Sequence, residues 1–181
     1  MNNPEISLKT VYEGWDSYQA SLVSAITPRT KEQLIWKPSP QLRSAGQITA
    51  HIVAGRLGWF FRMGAPGSSE LMDHASRLET EESIADDASA LVSWLNDTWN
   101  VIEETLRIWT VDDLMVAYQQ SYQGKTYSVT RQWTIWRIIA HDIHHGGELA
   151  YLLGFQGISI PELGDLGGHL TMPAIAESDD N

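Results

Sequence analysis

Apolar residues recur every three to four positions over four long stretches of the chain. This is the spacing of amphipathic α-helices, whose apolar stripes bury against one another. Four helices of this kind predict an all-α fold, a four-helix bundle. The stretches run over about Ser7–Ile26, Ser44–Met63, Glu82 (or Asp86)–Trp109 and Arg131–Leu153.

Two connections between these helices have a distinct character. The connection from Arg29 to Arg43 is long and contains Pro38 and Pro40, which cannot continue a helix. A connection of this length lets the second helix run parallel to the first by crossing over one end of the bundle. Between the third and fourth helices, Val116–Val129 alternates around Gly124, and this period of two predicts a short β-hairpin before the fourth helix.

Length and composition indicate one globular domain over residues 1–181, with 43% hydrophobic and 19% charged residues. We expect the acidic end, about residues 172–181, to be a disordered tail, and the Gly67–Thr80 connection to expose His74. No apolar run is long enough to span a bilayer, and the polar N-terminus lacks the layout of a signal peptide. These features predict a cytoplasmic protein that does not bind a membrane.

Charge and residue usage narrow the candidate functions. The formal net charge of -11 argues against nucleic acid, because phosphate binding needs a basic surface. The chain has no cysteine, so any metal must be bound by imidazole, carboxylate or water, which suits zinc, nickel, iron or manganese. The eight tryptophans are more than one small core readily hides, which favours a homodimer.

The fourth helix carries the densest group of candidate metal ligands. A helix turns about 100° per residue, so His141, His145 and Glu148 share one narrow stripe. Two imidazoles one turn apart can bind a single divalent metal. His144 lies about 60° from His141 and can replace His145, although it fits the stripe less well. Alternatively, these are solvated or hydrogen-bonded imidazoles, and a catalytic site needs a third ligand from elsewhere in the chain.

The second helix offers that third ligand at His51. Ser44 and Gln47 form a capping-box pattern that starts the helix, and His51 falls in the middle of its apolar row. Gly55 and Gly58 remove side-chain bulk beside it, which indicates close packing or space kept for a ligand. The alternative is a core histidine that donates a hydrogen bond to a backbone carbonyl.

A histidine midway along the second helix, followed by H-x-x-x-H-x-G late on the fourth, resembles the DinB family of metal-binding helical bundles. The resemblance covers most of the chain and includes Trp36–Pro38, Ser44–Ile52, His141–Glu148 and Leu152–Gly154.

In that family the three matching positions bind a divalent metal, often zinc or nickel. The resemblance therefore implies that His51, His141 and His145 are the ligands. Family members commonly have Arg-Gly-Gln after the last histidine, whereas this chain has Gly146-Gly147-Glu148. That departure replaces a neutral amide by a carboxylate. Glu148 can then orient a ligand, take a proton from bound water, or be an ordinary surface glutamate.

The resemblance also implies a small-molecule substrate and a homodimer. Characterised relatives include S-transferases that use bacillithiol or mycothiol, so a metal-dependent, thiol-dependent transferase is the first hypothesis. In it, Trp36, Trp59 and the Tyr118–Tyr127 hairpin form the pocket walls. A second hypothesis is a hydrolase that uses metal-bound hydroxide with Glu148 as base. A third is a non-catalytic metal-binding or small-ligand-binding stress protein, since a fold does not imply a reaction.

Overall fold

The computed structural model describes residues 7–72 and 82–164. His74 and the predicted tail at 172–181 lie outside the described residues. The helices, in chain order, are α1 (Leu8–Val11), α2 (Trp15–Ile26), α3 (Lys31–Ile35), α4 (Ala45–Arg62), α5 (Glu82–Ala85), α6 (Ala88–Ile108), α7 (Val111–Leu114), α8 (Arg131–Phe155) and α9 (Pro161–Gly164). Strands β1 (Ala117–Tyr122) and β2 (Lys125–Thr130) lie between α7 and α8.

The four long helices α2, α4, α6 and α8 coincide with the four predicted amphipathic stretches. α4 lies against both α6 and α8, α2 lies against α6, and the short α9 packs on α8 and α2. The described chain is therefore mainly helical with one small sheet, as predicted. Among residues 7–72 and 82–164, no helix is both long enough and apolar enough to cross a bilayer. Fully buried side chains between the long helices include Leu22 and Ile26 of α2, Ile52 of α4, Leu95 and Ile102 of α6, and Ile138 and Leu149 of α8.

Side-chain caps define where α4 and α8 begin. The Ser44 hydroxyl accepts a hydrogen bond from the Gln47 backbone amide at 3.3 Å, and the Gln47 side chain accepts one from the Ser44 amide at 3.1 Å. This is the predicted capping box, and it satisfies two amides that the first turn leaves free. Thr130 caps α8 through the Trp133 amide at 3.2 Å. These caps set the phase of the two helices that carry the histidines.

The N-terminal helix differs from the prediction. A continuous helix over Ser7–Ile26 is expected from the apolar spacing, but the structure breaks it into α1 and α2 at Gly14, whose φ is 98°. Glycine adopts this left-handed conformation without the steric cost that a side chain brings. The break ends α1 and starts α2 at Trp15, which is buried together with Tyr18.

The end of the fourth helix also differs slightly from the prediction. α8 continues two residues beyond Leu153, to Phe155. After α8 the chain forms the short helix α9.

The predicted hairpin is present. β1 and β2 pair antiparallel with Tyr122 opposite Lys125, and Gln123 and Gly124 form the two-residue turn. Both turn residues have positive φ, 49° and 74°, as expected for a tight hairpin turn whose twist matches the strands. The Tyr118 hydroxyl lies 2.6 Å from the Thr134 hydroxyl, which joins the hairpin to α8.

Two glycines of α4 test how closely this helix packs. A Cβ added at Gly46 would lie 1.6 Å from the Ala85 carbonyl oxygen, whereas one added at Gly58 meets only the end of the Arg62 side chain at 3.7 Å. Gly46→Ala should lower the free energy of unfolding by about 1–3 kcal/mol because α5 must move away. Gly58→Ala should raise it by up to about 1 kcal/mol through helix propensity. Urea unfolding of both variants would measure this, and equal effects at the two positions would contradict the close packing.

Candidate metal centre

Three histidines from two helices meet beside the core. His51 comes from α4, and His141 and His145 come from α8. The Nε2 atoms of His51 and His141 are 3.2 Å apart. The ring centroids are 4.9 Å apart for His51 and His141, 4.7 Å for His51 and His145, and 4.4 Å for His141 and His145. The structure thus brings together the three side chains that the sequence singles out as ligands.

Small residues let α4 and α8 approach closely at this point. A Cβ at Gly55 would lie 2.8 Å from Cε1 of His141, so the glycine leaves room for that ring. Trp59, one turn further along α4, places its ring against His141 at right angles, with centroids 5.0 Å apart. Residues after His51 on α4 therefore contact the earlier histidine of α8, while Ile48, which precedes His51, lines a cleft together with Leu152, which follows His145. The two helices run antiparallel across the cluster.

The spacing of the imidazole nitrogens fits a divalent metal. Each histidine of the triad offers a nitrogen, and these atoms lie within 4.8 Å of one another. Two nitrogens bound to a tetrahedral zinc at about 2.05 Å would be about 3.3 Å apart. The observed 3.2 Å between the Nε2 atoms of His51 and His141 is close to this value. Three imidazoles also leave a coordination position for water or substrate, as catalytic zinc sites do.

A buried pair of unpaired polar atoms points to the same arrangement. Nδ1 of His141 and Oδ1 of Asp142 are both buried, without a hydrogen-bond partner within residues 7–72 and 82–164, and 3.8 Å apart. A metal-binding histidine usually donates its second ring N–H to a carboxylate, which orients the ring. A small closure of this gap would complete that contact and would direct the Nε2 of His141 toward the cluster.

Asp142 is held in turn by a buried polar network. Its Oδ2 accepts hydrogen bonds from Nε of Arg56 at 2.9 Å and from the Trp15 indole at 3.1 Å. A second nitrogen of Arg56 lies 2.9 Å from the same oxygen, and the remaining one donates to Gln19 at 2.6 Å. Burial alone would raise the pKa of Asp142, but the Arg56 charge and the hydrogen bonds outweigh it and hold that pKa below its ordinary value. Asp142 is therefore ionised beside His141.

Tyr18 ties α2 to the histidine segment of α8. Its hydroxyl donates to the Asp142 carbonyl oxygen at 2.9 Å. A Cβ at Gly146 would lie 1.8 Å from that hydroxyl, so only glycine admits the tyrosine here. The sequence predicts a close approach to Gly146-Gly147 by a ligand or a neighbouring backbone. The structure instead places a tyrosine side chain against Gly146, and it leaves Gly147 without a neighbour within 4 Å of an added Cβ among the described residues.

Glu148 contacts the histidine cluster through its carboxylate. Oε2 lies 2.7 Å from Nδ1 of His145, and Oε1 lies 3.3 Å from Nε2 of His144. His144 is exposed, with 67% of its side chain accessible, and it belongs to a second group with His145 and Glu148 rather than to the triad. Of the roles considered for Glu148, this contact supports the one in which its carboxylate orients a metal ligand, here His145.

The polar network is what sequence reasoning misses. Arg56 lies one turn after Ile52 on the apolar row of α4, and Asp142 lies one turn after Ile138 on that of α8. Each is fully buried, and their charges are opposite. A charge on a buried row requires a partner, so this matched pair is the signal that could have revealed the contact.

Comparison with known proteins agrees with this geometry. The sequence model of the DinB superfamily matches residues 15–149. This chain belongs to the DinB superfamily. The predicted family is therefore confirmed, and the matched range includes every histidine of the triad.

One solved structure supports the DinB fold independently. The chain is similar to the crystal structure of a DinB-like protein from Bacillus cereus ATCC 10987 at 2.01 Å resolution, with 17% sequence identity and a TM-score of 0.66. The match covers 86% of this chain and 96% of that chain. At this identity the similarity supports the fold alone. No curated protein matches the chain.

A cleft opens next to the DinB histidine cluster on the side of Glu148. It has a volume of about 580 Å³ and lies between residues 38–43, Ile48 of α4 and the last turns of α8. Trp36 and the Tyr118–Tyr127 hairpin, predicted as pocket walls, do not line this cleft; within the described chain, Trp59 is the one of these predicted walls that contacts a triad histidine.

Two of the triad histidines favour the neutral form that binds metal. Burial lowers the pKa of His51 to about 4, and the positive charge of Arg43 and the neighbouring imidazoles add to the effect. Burial also lowers the pKa of His145, although the carboxylate of Glu148 opposes it. Neutral imidazole is the form with a free electron pair, so these shifts keep two ligands available in mildly acidic solution.

The pKa of His51 predicts how the metal-free protein responds to acid. An unfolded histidine takes up a proton near pH 6.5, whereas folded His51 does so only near pH 4. Protonation therefore favours the unfolded state, and stability should fall as the pH drops from 6.5 to 4. His51→Gln should make this fall smaller, as measured by urea midpoints at several pH values in the presence of a chelator. The matched control His144→Gln changes an exposed histidine and should keep the wild-type dependence; identical curves for wild type and His51→Gln would contradict the prediction.

Proposed function

We propose that this DinB protein is a divalent-metal-dependent enzyme, with thiol-dependent S-transfer as its reaction class. The observation that carries the proposal is the convergence of His51, His141 and His145 from two helices, with nitrogens spaced for one ion. Zinc or nickel suits this all-nitrogen set best, and iron or manganese is compatible with it. We further propose that the long helices form a four-helix bundle whose long α2–α4 connection crosses one end.

In the proposed site the three imidazoles hold the metal and surrounding groups fix their orientation. The bound ion would supply Lewis acidity, which lowers the pKa of a thiol or water placed in its open position. Asp142, held by Arg56 and Trp15, faces the outer nitrogen of His141. Glu148 accepts from the outer nitrogen of His145 and so directs its other nitrogen inward.

The contacts of Glu148 favour the transferase over the hydrolase. A general base must be within hydrogen-bond reach of the proton that it abstracts. Here one carboxylate oxygen contacts His145 and the other contacts His144. A transferase needs Glu148 only to position His145, because the thiol proton can leave to solvent through the open cleft.

Two alternatives remain as candidates with specific support. Hydrolysis is supported by the position of Glu148, which lines the cleft. Its side chain is 43% accessible and could take a proton from an attacking water. A non-catalytic metal-binding or small-ligand-binding role is supported by the same triad if all coordination positions are filled. Location in the cytoplasm, a single domain and a homodimer stay predictions; the exposed Trp136 on α8 is compatible with a partner surface.

Metal binding by the triad is the first test. Protein purified without a histidine tag should bind about one equivalent of zinc or nickel, measured by elemental analysis and competition with a chelating dye. His51→Ala, His141→Ala and His145→Ala should each weaken binding by more than about 100-fold, which exceeds the usual cost of losing an outer partner. His144→Ala is the matched control and should bind as wild type. If the triad variants bind as tightly as His144→Ala, the assigned site is wrong.

Glu148→Gln separates the reaction classes. In a transferase, the metal-loaded variant should lose up to about tenfold in thiol consumption, because only the orientation of His145 is affected. In a hydrolase, turnover should fall by about 10²–10⁴-fold while metal is retained, because the base is lost. The transferase assay follows thiol loss with a panel of electrophiles and thiols that includes bacillithiol and mycothiol, and the hydrolase assay follows product formation without thiol. No thiol consumption and no change in the visible spectrum of the cobalt-substituted protein on adding thiol would reject the transferase.

A further inference from the structure

The cleft beside Glu148 combines a charged residue with an apolar surface. Arg43 lies at one wall, immediately before the Ser44 cap of α4, and Glu148 lies at the end next to His145. Its volume of about 580 Å³ lies within the range of about 300–1,000 Å³ typical of small-molecule sites. The cleft therefore has the size of a substrate site, and its end at Glu148 lies beside the triad histidine His145.

Arg43 is a cation without a carboxylate partner among residues 7–72 and 82–164. Arg56, Arg107 and Arg131 each pair with a carboxylate there. Arg29, Arg62 and Arg137 have no such partner in the described chain either, but Arg43 is the arginine that lines this cleft. The backbone of Arg43 is anchored by the capping box that follows it. Its positive charge lies close enough to the triad to contribute to the lowered pKa of His51. An exposed, unpaired guanidinium at a cleft wall is a ready partner for a carboxylate.

Apart from Gln41, the remaining residues that line the cleft are mainly apolar, and several are accessible. Tyr151 and Phe155 lie one turn apart on α8 and are 76% and 71% exposed, and Leu42 on the opposite wall is 54% exposed. Ile48 is buried and closes the floor. Aromatic side chains of this kind bind flat or branched apolar groups, and few of their neighbours on the cleft surface are polar.

The charge balance of the loaded site favours an anion. A divalent metal would add two positive charges and Arg43 adds one, against the negative charge of Glu148, which already contacts His144 and His145. The negative charge of Asp142 is balanced by its ion pair with Arg56. The triad histidines add no charge in their neutral form. This positive region lies on a protein whose formal net charge is -11, so it is a local exception and not part of a general basic surface.

We propose that the cleft binds the substrate as a small organic carboxylate with an apolar, preferably aromatic, body. The carboxylate pairs with Arg43, the apolar body lies against Tyr151 and Phe155, and the opposite end of the molecule reaches toward the metal next to Glu148. This inference rests on the proposed metal-dependent function and adds to it the substrate class and the residue that selects it.

Calorimetric titration with 3-phenylpropanoate and with its uncharged amide, 3-phenylpropanamide, tests the assignment. Zinc-loaded wild-type protein should bind the acid at least about tenfold more tightly than the amide, because an ion-paired hydrogen bond is lost in the amide. In Arg43→Gln, the affinity for the acid should fall to the affinity for the amide. Tyr151→Ala should weaken the binding of both compounds by a similar factor, because it removes only apolar contact.

Arg62→Gln is the matched control, since Arg62 lies on the same helix about 21 Å from Ile48 and outside the cleft. It should leave both affinities unchanged. All titrations are repeated on metal-free protein, where the difference between acid and amide should persist because Arg43 makes it. If acid and amide bind equally, if neither binds at millimolar concentration, or if Arg43→Gln keeps the difference, the inference is overturned. Absence of zinc binding, by contrast, would reject the proposed function, and the metal-free titrations would still decide whether Arg43 binds a carboxylate.

Discussion

The buried ion pair between Arg56 and Asp142 is the constraint on which the histidine cluster depends. Both side chains are fully inaccessible, and they join α4 to α8 one residue away from His141. Leaving either charge buried without its partner costs about 3–5 kcal/mol, so the two helices cannot slide past each other at this point. The same contact places His51, five residues before Arg56, opposite His141 and His145. The position of the cluster thus follows from electrostatics in the core.

Space for this arrangement comes from glycines, and each has a different neighbour. Gly55 admits the ring of His141, and Gly146 admits the hydroxyl of Tyr18. Glycine within a helix costs about 1 kcal/mol relative to alanine, so these positions reduce helix stability in exchange for close approach. Tyr18 then fixes the backbone of α8 at Asp142. The histidine segment of α8 is thus held by contacts from α4 and α2, and His145 also by Glu148 of its own helix.

The chemical result is a preorganised triad in which two histidines favour the neutral form. Burial lowers the pKa values of His51 and His145, so two ligands need not lose a proton before a metal binds at neutral pH. The carboxylate of Asp142 faces the Nδ1 atom of His141, and that of Glu148 contacts the Nδ1 atom of His145. Both negative charges offset the positive charge that a cation would bring. Glu148, which contacts His145, also lines a cleft that has its own cation at Arg43. The site therefore combines an ordered metal-binding face with an accessible substrate face.

The sequence by itself determined the features that depend on local geometry. Helical periodicity located the four long helices, the capping box located the start of α4, and the spacing of His141 and His145 placed both on one stripe because a helix repeats every 3.6 residues. Together with His51, that spacing was also enough to indicate the DinB family. Only the tertiary structure decided which faces meet: the pairing of Arg56 with Asp142, the contact of Glu148 with His145, the break at Gly14 and the cleft at Arg43. These features depend on the packing of segments that are distant in the chain. Helical periodicity predicts which residues face the core, but it does not predict which partner each of them contacts.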